Sequence, residues 1–144
     1  GTPIRREPIL EAAGALGAGA QVLVVEGVGG WRVPLGEDWD VAALARDLGL
    51  PVVLVVGIRL GCISHALLTA ESIRAAGCTL AGWVATRIDP ATRLAAQVVG
   101  AVAERIDAPL LADMPHLPQP PASAREAGID EGALEDLLRS LETP

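Results

Sequence analysis

The chain has 144 residues, 51% of them apolar, and a formal net charge of −7 from 11 Lys+Arg against 18 Asp+Glu. That is enough apolar sequence to bury a core, and residues 1–144 are expected to form a single α/β domain. The acidic balance argues against a nucleic-acid partner, which needs clustered cations, and no apolar run approaches the roughly 18 to 20 residues of a membrane span.

In chain order, residues 9–16 are alanine-rich between Pro8 and Gly17 and predict a helix. Residues 22–25, Val-Leu-Val-Val, predict a strand buried on both faces. Residues 27–39, with Pro34 and Gly36, form a long loop, and loops of that length in compact domains usually carry function. Asp40 can cap a short helix with Val41, Leu44, Ala45 and Leu48 on one face, and Gly49 and Pro51 end it. Residues 52–56 are a second apolar strand. A helix over 63–76 follows, with Ile63, Ala66, Leu67, Ala70 and Ile73 at helical spacing and Gly77 at its end. Residues 80–86 predict a third strand. Asp89-Pro90 reads as a cap and first helical position for a helix reaching about Arg105. A short fourth strand is expected over 108–112, a proline-rich loop over 115–122, and a closing helix with Leu134, Leu137, Leu138 and Leu141 on its apolar face.

Strands alternate with helices, which implies parallel β-α-β crossovers and a mostly parallel sheet with helices on both faces. In such sheets ligands collect beyond the carboxyl ends of the strands. The loops 26–39, 57–62, 86–89 and 114–121 should therefore gather along one edge, and that edge is the predicted site.

The most informative stretch runs from Val22 to Trp31, where an apolar segment meets Glu26 and then Gly27, Gly29 and Gly30. Glycines permit positive φ and let backbone amides approach an anion, while Glu26 can serve Mg²⁺, which is commonly held by one or two carboxylates plus nucleotide phosphates. A solvated loop carboxylate is the plainer alternative. Between Gly57 and His65, free amides at a helix start and the fixed charge of Arg59 suit a carboxylate or phosphate, unless the glycines serve only the turn and Ser64 only caps. His65 in the first helical turn reads as a positioning residue rather than a base, and His116 as a ligand contact. Cys62 and Cys78 are too few and too far apart for a metal site or disulfide framework, and fit small apolar roles in a reducing compartment. No export signal is visible, so a cytoplasmic protein is expected.

The sequence contains no lysine, and a phosphate-binding loop of the form Gly-x4-Gly-Lys-Ser/Thr is impossible within it. The chain opens at Gly1 and its only methionine is Met114. It is therefore expected to be the later part of a longer protein, or one from which residues were removed.

Taken in order, the blocks Val24-Val25-Glu26-Gly27-Val28-Gly29-Gly30-Trp31, Leu50-Pro51-Val52-Val53-Leu54-Val55-Val56-Gly57, Leu60-Gly61-Cys62-Ile63-Ser64-His65-Ala66 and Leu80-Ala81-Gly82-Trp83-Val84-Ala85 closely resemble dethiobiotin synthetase. The likeness extends to Ala108-Pro109-Leu110-Leu111 and corresponds to the carboxy-terminal two thirds of that family. It implies a P-loop NTPase-like, three-layer fold without the amino-terminal P-loop unit. It also implies the penultimate step of biotin synthesis. One amine of 7,8-diaminopelargonate captures CO₂ as a carbamate, ATP with Mg²⁺ phosphorylates it, and the second amine closes the cyclic urea with loss of phosphate.

By the same resemblance Glu26 is the magnesium ligand, and Glu26, Gly27, Val28 and Gly29 form the phosphate-side loop, with Gly29 also facing substrate. Gly61, Cys62, Ile63 and Ser64 would receive the substrate carboxylate across a homodimer interface. Thr86, Arg87, Pro115, His116 and Leu117 would border adenine. The family's P-loop, catalytic lysine and second magnesium carboxylate lie before the point where this sequence starts, so no catalytic residue is assigned and the isolated chain is expected to be inactive. Thr86 and Arg87 stand where the family usually has an asparagine and its neighbour, Ser64 replaces a common asparagine, and a tyrosine expected after Pro90 is absent. Two other readings remain: a non-catalytic dimerising or ligand-binding module, and another P-loop relative such as a cobyrinate amidating synthetase or partition ATPase.

Overall fold

Three apolar segments pair side by side in the order β1-β2-β3, with β1 at Val52–Gly57, β2 at Leu80–Thr86 and β3 at Leu110–Met114, and both pairings are parallel. The computed structural model describes residues 4–117 and 139. Parallel neighbours need a long crossover. Helix α3, Cys62–Ala75, supplies the first and α4, Ala95–Ala103, the second; α1, Arg6–Gly17, and α2, Val41–Leu48, precede them. The chain is α/β with a parallel sheet, as the alternation of strand and helix signals predicts.

Two compact units divide the chain, residues 51–71 with 80–144, and residues 1–50 with 72–79. In the first, Leu54 lies opposite Trp83 and Val56 opposite Ala85, so these side chains share one sheet face. They cluster with Cys62, Ala66 and Ala70 of α3 at four-residue spacing, and with Ala95, Val99, Val102 and Ile106 on and just after α4. Trp83 is fully buried and is the largest side chain in this core. On β2, Gly82 is required by close approach, because a Cβ there would lie 2.6 Å from Leu111 Cγ.

In the second unit an ion pair joins Arg6 of α1 to Asp47 of α2. Asp40 caps α2 as expected, its Oδ1 accepting from the Ala43 N–H at 2.9 Å. The end of α3 is a Schellman motif, with Gly77 at φ +78°, the Gly77 N–H donating to Arg74 O and the Cys78 N–H to Ile73 O.

Three expectations need correction. Residues 22–25 form no strand; Val22, Val24 and Val25 are exposed, and no strand pairs with them among the described residues. Their composition suits a buried strand, but a strand exists only through a neighbour's hydrogen bonds. The helix expected from Pro90 begins at Ala95, because Asp89 Oδ1 accepts from the Ala91 N–H at 2.8 Å and closes a turn instead. Leu94, at φ −109° and ψ 24°, is not yet helical, and α4 ends at Ala103. The last strand lies at Leu110–Met114, two residues later than predicted. Residues 118–122 of the proline-rich loop, and Leu134, Leu137, Leu138 and Leu141, lie outside the described residues.

Candidate functional site

In the unit of residues 1–50 and 72–79, Glu26 is exposed on a loop and makes no ion pair among the described residues. The chain then turns sharply. The Gly30 N–H donates to Val28 O at 2.9 Å across Gly29, whose φ of +68° closes a γ-turn that a residue with a side chain rarely adopts. Beyond the turn the loop is fastened. Trp31 Nε1 donates to Ser72 Oγ at 3.2 Å, and Arg32 Nε meets Asp40 Oδ2 at 2.8 Å. The Val41 N–H donates to Val33 O, and the Leu35 and Gly36 N–H groups to Trp39 O. Asp40 thus serves α2 with one oxygen and the loop with the other.

Glu26 and Gly27 are exposed and lead directly into the turn at Val28, Gly29 and Gly30. Glu26 can fill one position on an oxygen-liganded cation such as Mg²⁺, which keeps several waters and asks for only one or two carboxylates. The exposed carboxylate, unpaired among the described residues, can meet that demand. Among the described residues no cluster of three or more His, Cys, Asp or Glu side chains is positioned as a metal cage.

In the unit of residues 51–71 and 80–144, the carboxyl ends of the strands lie level, with Gly57 opposite Thr86 and Thr86 opposite Met114. The Ile58 N–H donates to Thr86 O at 2.8 Å and the Arg87 N–H to Met114 O at 3.0 Å, which prolongs the alignment into the loops. Thr86, Arg87, Pro115, His116 and Leu117 are therefore brought to one edge. Arg87 is fixed there by Asp113, which takes hydrogen bonds from Nε at 3.0 Å and Nη2 at 2.7 Å. The hydrogen bond first, and the carboxylate charge second, raise the Arg87 pKa above its ordinary value. Sequence reasoning missed Asp113. Its partner is 26 positions away, and only the register of β2 and β3 joins them.

The same edge carries the start of α3. Gly61 has φ +88°, the Cys62 N–H donates to Arg59 O at 3.1 Å, and the helix begins two residues before Ser64. Ser64 is thus inside the first turn rather than at the cap. Cys62 is buried, Ile63 half-buried, and Ser64 and His65 exposed. A shallow cavity of about 220 Å³ opens beside this turn, lined by Val55, Gly57, Arg59, Cys62, His65 and Thr69 among others. Arg59 gives it a cation and the helix start gives it amide donors, a pairing suited to a carboxylate or phosphate. Cys62 and Cys78 are both free thiols. Among the described residues, no helix is long and apolar enough to cross a membrane.

The family model described as AAA domain matches residues 5–123, and the chain belongs to that family. Its parallel sheet with intervening helices is the α/β, P-loop NTPase-like arrangement. The curated ATP-dependent dethiobiotin synthetase BioD of Aromatoleum aromaticum is 60% identical over 117 residues, 81% of this chain and 52% of the relative. The chain thus spans about half the length of the curated relative it matches. The likeness to dethiobiotin synthetase read from the motif blocks holds.

Proposed function

We propose that this member of the AAA domain family carries part of the active site of an ATP- and Mg²⁺-dependent ligase that forms the cyclic urea of dethiobiotin from 7,8-diaminopelargonate and CO₂. The observation that carries the reading is the 60% identity to a dethiobiotin synthetase over 81% of this chain. The 144 residues are read as part of one longer synthetase domain, in a homodimeric cytoplasmic enzyme.

Each local arrangement supports a role. Glu26 would hold Mg²⁺, which when bound neutralises charge on the ATP phosphates. Gly27, Val28 and Gly29, leading into and through the tight turn, would let backbone approach phosphate, and Gly29 would also border substrate. The amides of Gly61, Ile63 and Ser64 at the start of α3 would take the substrate carboxylate beside Cys62, whose own N–H is held by Arg59 O, with Arg59 adding charge. Thr86, Arg87, Pro115, His116 and Leu117 would border the adenine. The chemistry asks these groups to position two amines and a phosphoryl donor, and positioning with charge neutralisation is the main source of rate in phosphoryl transfer.

The sequence holds no lysine, so these 144 residues supply no P-loop lysine to cradle the β- and γ-phosphates. The isolated chain is therefore expected to make no dethiobiotin. The test is to incubate the natural protein with diaminopelargonate, Mg·ATP and labelled bicarbonate. Label appearing in dethiobiotin supports the reading, and its absence overturns it. Calorimetric titration of the chain with diaminopelargonate and with Mg·ATP then separates a partial active site, which binds at least one, from a non-catalytic module that binds neither.

A further inference from the structure

Glu26 and Trp31 are separated by four residues, three of them glycine. Glycine loses more conformational entropy on ordering than any other residue, so by itself this segment would leave the Glu26 carboxylate loosely placed. Upstream, residues 22–25 pair with no strand among the described residues, and Leu23 is half-buried beside Gly17. Downstream, two adjacent residues are anchored by side-chain polar contacts on separate elements.

These anchors are unequal. The Arg32 side chain is 73% exposed in its pair with Asp40, and an ion pair so open to water and salt contributes little. Trp31 is half-buried, and its Nε1 donates to the half-buried Ser72 on α3, 41 positions along the chain. A part-buried hydrogen bond made by a large, half-buried ring is the stronger clamp of the two.

We infer that Trp31, seated on Ser72, is a positioning residue that fixes the glycine turn and through it the Glu26 carboxylate. This rests on the reading of Glu26 as a magnesium ligand. Trp31 touches no reacting atom in this scheme; its effect is on how tightly the divalent cation binds.

The test uses Mn²⁺ as the probe, titrated into the natural protein with ATP and followed by its electron paramagnetic resonance signal, without turnover. Ser72→Ala and Trp31→Phe should each weaken Mn²⁺ binding about fivefold, the factor an ordinary neutral hydrogen bond is worth. The double variant should be no worse than either single one, since both remove the same bond. Ser72→Thr, which keeps the hydroxyl, should restore wild-type binding. Hydrogen exchange should quicken at the amides of residues 27–31 in Ser72→Ala and stay slow in Ser72→Thr.

Unchanged Mn²⁺ binding in Ser72→Ala, with binding lost in Glu26→Gln, would overturn the proposal and leave the Glu26 reading standing. Unchanged binding in Glu26→Gln would overturn that reading and the proposal with it.

Discussion

Arg87 and Asp113 close a two-pronged hydrogen-bonded pair where β2 and β3 end, Nε to Oδ1 and Nη2 to Oδ2. The backbone repeats the link, since the Arg87 N–H donates to Met114 O. Arg87 therefore ties together the two loops proposed to border the nucleotide base.

Replacing Arg87 with Lys should act almost like replacing it with Ala, because an ammonium cannot make the paired, planar contact. Both side chains are about a third exposed, 37% and 31%, so thermal unfolding should shift little. The effect should fall on the nucleotide, as a several-fold rise in KM for ATP with kcat nearly unchanged. The raised Arg87 pKa also fixes a pH expectation. A group whose folded pKa is raised contributes fully below its unfolded pKa and loses that contribution only above it. For arginine that window lies far into alkali, so the pair should impart no pH dependence to KM through the neutral range. Steady-state kinetics of the natural protein across neutral pH would check both points.

Asp40 has two jobs, and two substitutions separate them. Asp40→Ala removes the acceptor for the Ala43 N–H and the partner of Arg32, and should cost about 1 kcal/mol, the usual worth of a helix N-cap. Asp40→Asn keeps an oxygen for the cap and loses only the exposed ion pair. It should stay within about 0.5 kcal/mol of the parent. Equal losses in urea unfolding for the two variants would show that the ion pair, and not the cap, is what matters.

At Gly82 the sheet has no room for a methyl group. An added Cβ would lie 2.6 to 2.8 Å from three carbons of Leu111, and Leu111 Cγ is a branch point that cannot swing aside like a chain end. Gly82→Ala should destabilise by roughly 1 to 3 kcal/mol. The Gly82→Ala/Leu111→Ala pair should lose less than the sum of the single changes, because the collision is gone. Additive losses in denaturant unfolding would place the strain elsewhere.

What the sequence disclosed follows the range of the forces involved. Asp40 and Gly77 announce the helix ends they make, since capping is settled within a few residues. The apolar runs of β1 and β2 are legible for the same reason, and the level carboxyl ends at Gly57, Thr86 and Met114 follow from the topology of parallel strands. Residues 22–25 mislead because a strand is a relation between segments, and Val24 is apolar whether or not a neighbour is there. Asp89-Pro90 misleads because the same carboxylate that can cap a helix can close a turn. The Trp31–Ser72 and Arg87–Asp113 contacts were beyond reach, since each depends on a three-dimensional approach that no local pattern encodes. The roles given to Glu26, and to Gly61 through Ser64, came from the likeness to a family, because no local pattern separates a metal ligand from a solvated loop carboxylate or a carboxylate site from an ordinary helix start.

Trp83 brings two opposing effects into one side chain. It is fully buried in the cluster of Val56, Ala66, Val99 and Val102, yet its Nε1 finds no hydrogen-bond acceptor among the described residues. A buried donor without a partner is unfavourable by about 1 to 3 kcal/mol, whereas the ring's packing is worth more than that. Trp83→Phe removes the donor and one ring, so the gain from losing the orphan group and the roughly 1 kcal/mol of cavity left behind should nearly cancel. Trp83→Ala keeps only the loss and should destabilise by about 3 to 5 kcal/mol. If Trp83→Phe instead proved as damaging as Trp83→Ala in urea unfolding, the indole N–H would have to be satisfied in solution, and the core around β2 would hold a polar partner that its apolar sequence does not suggest.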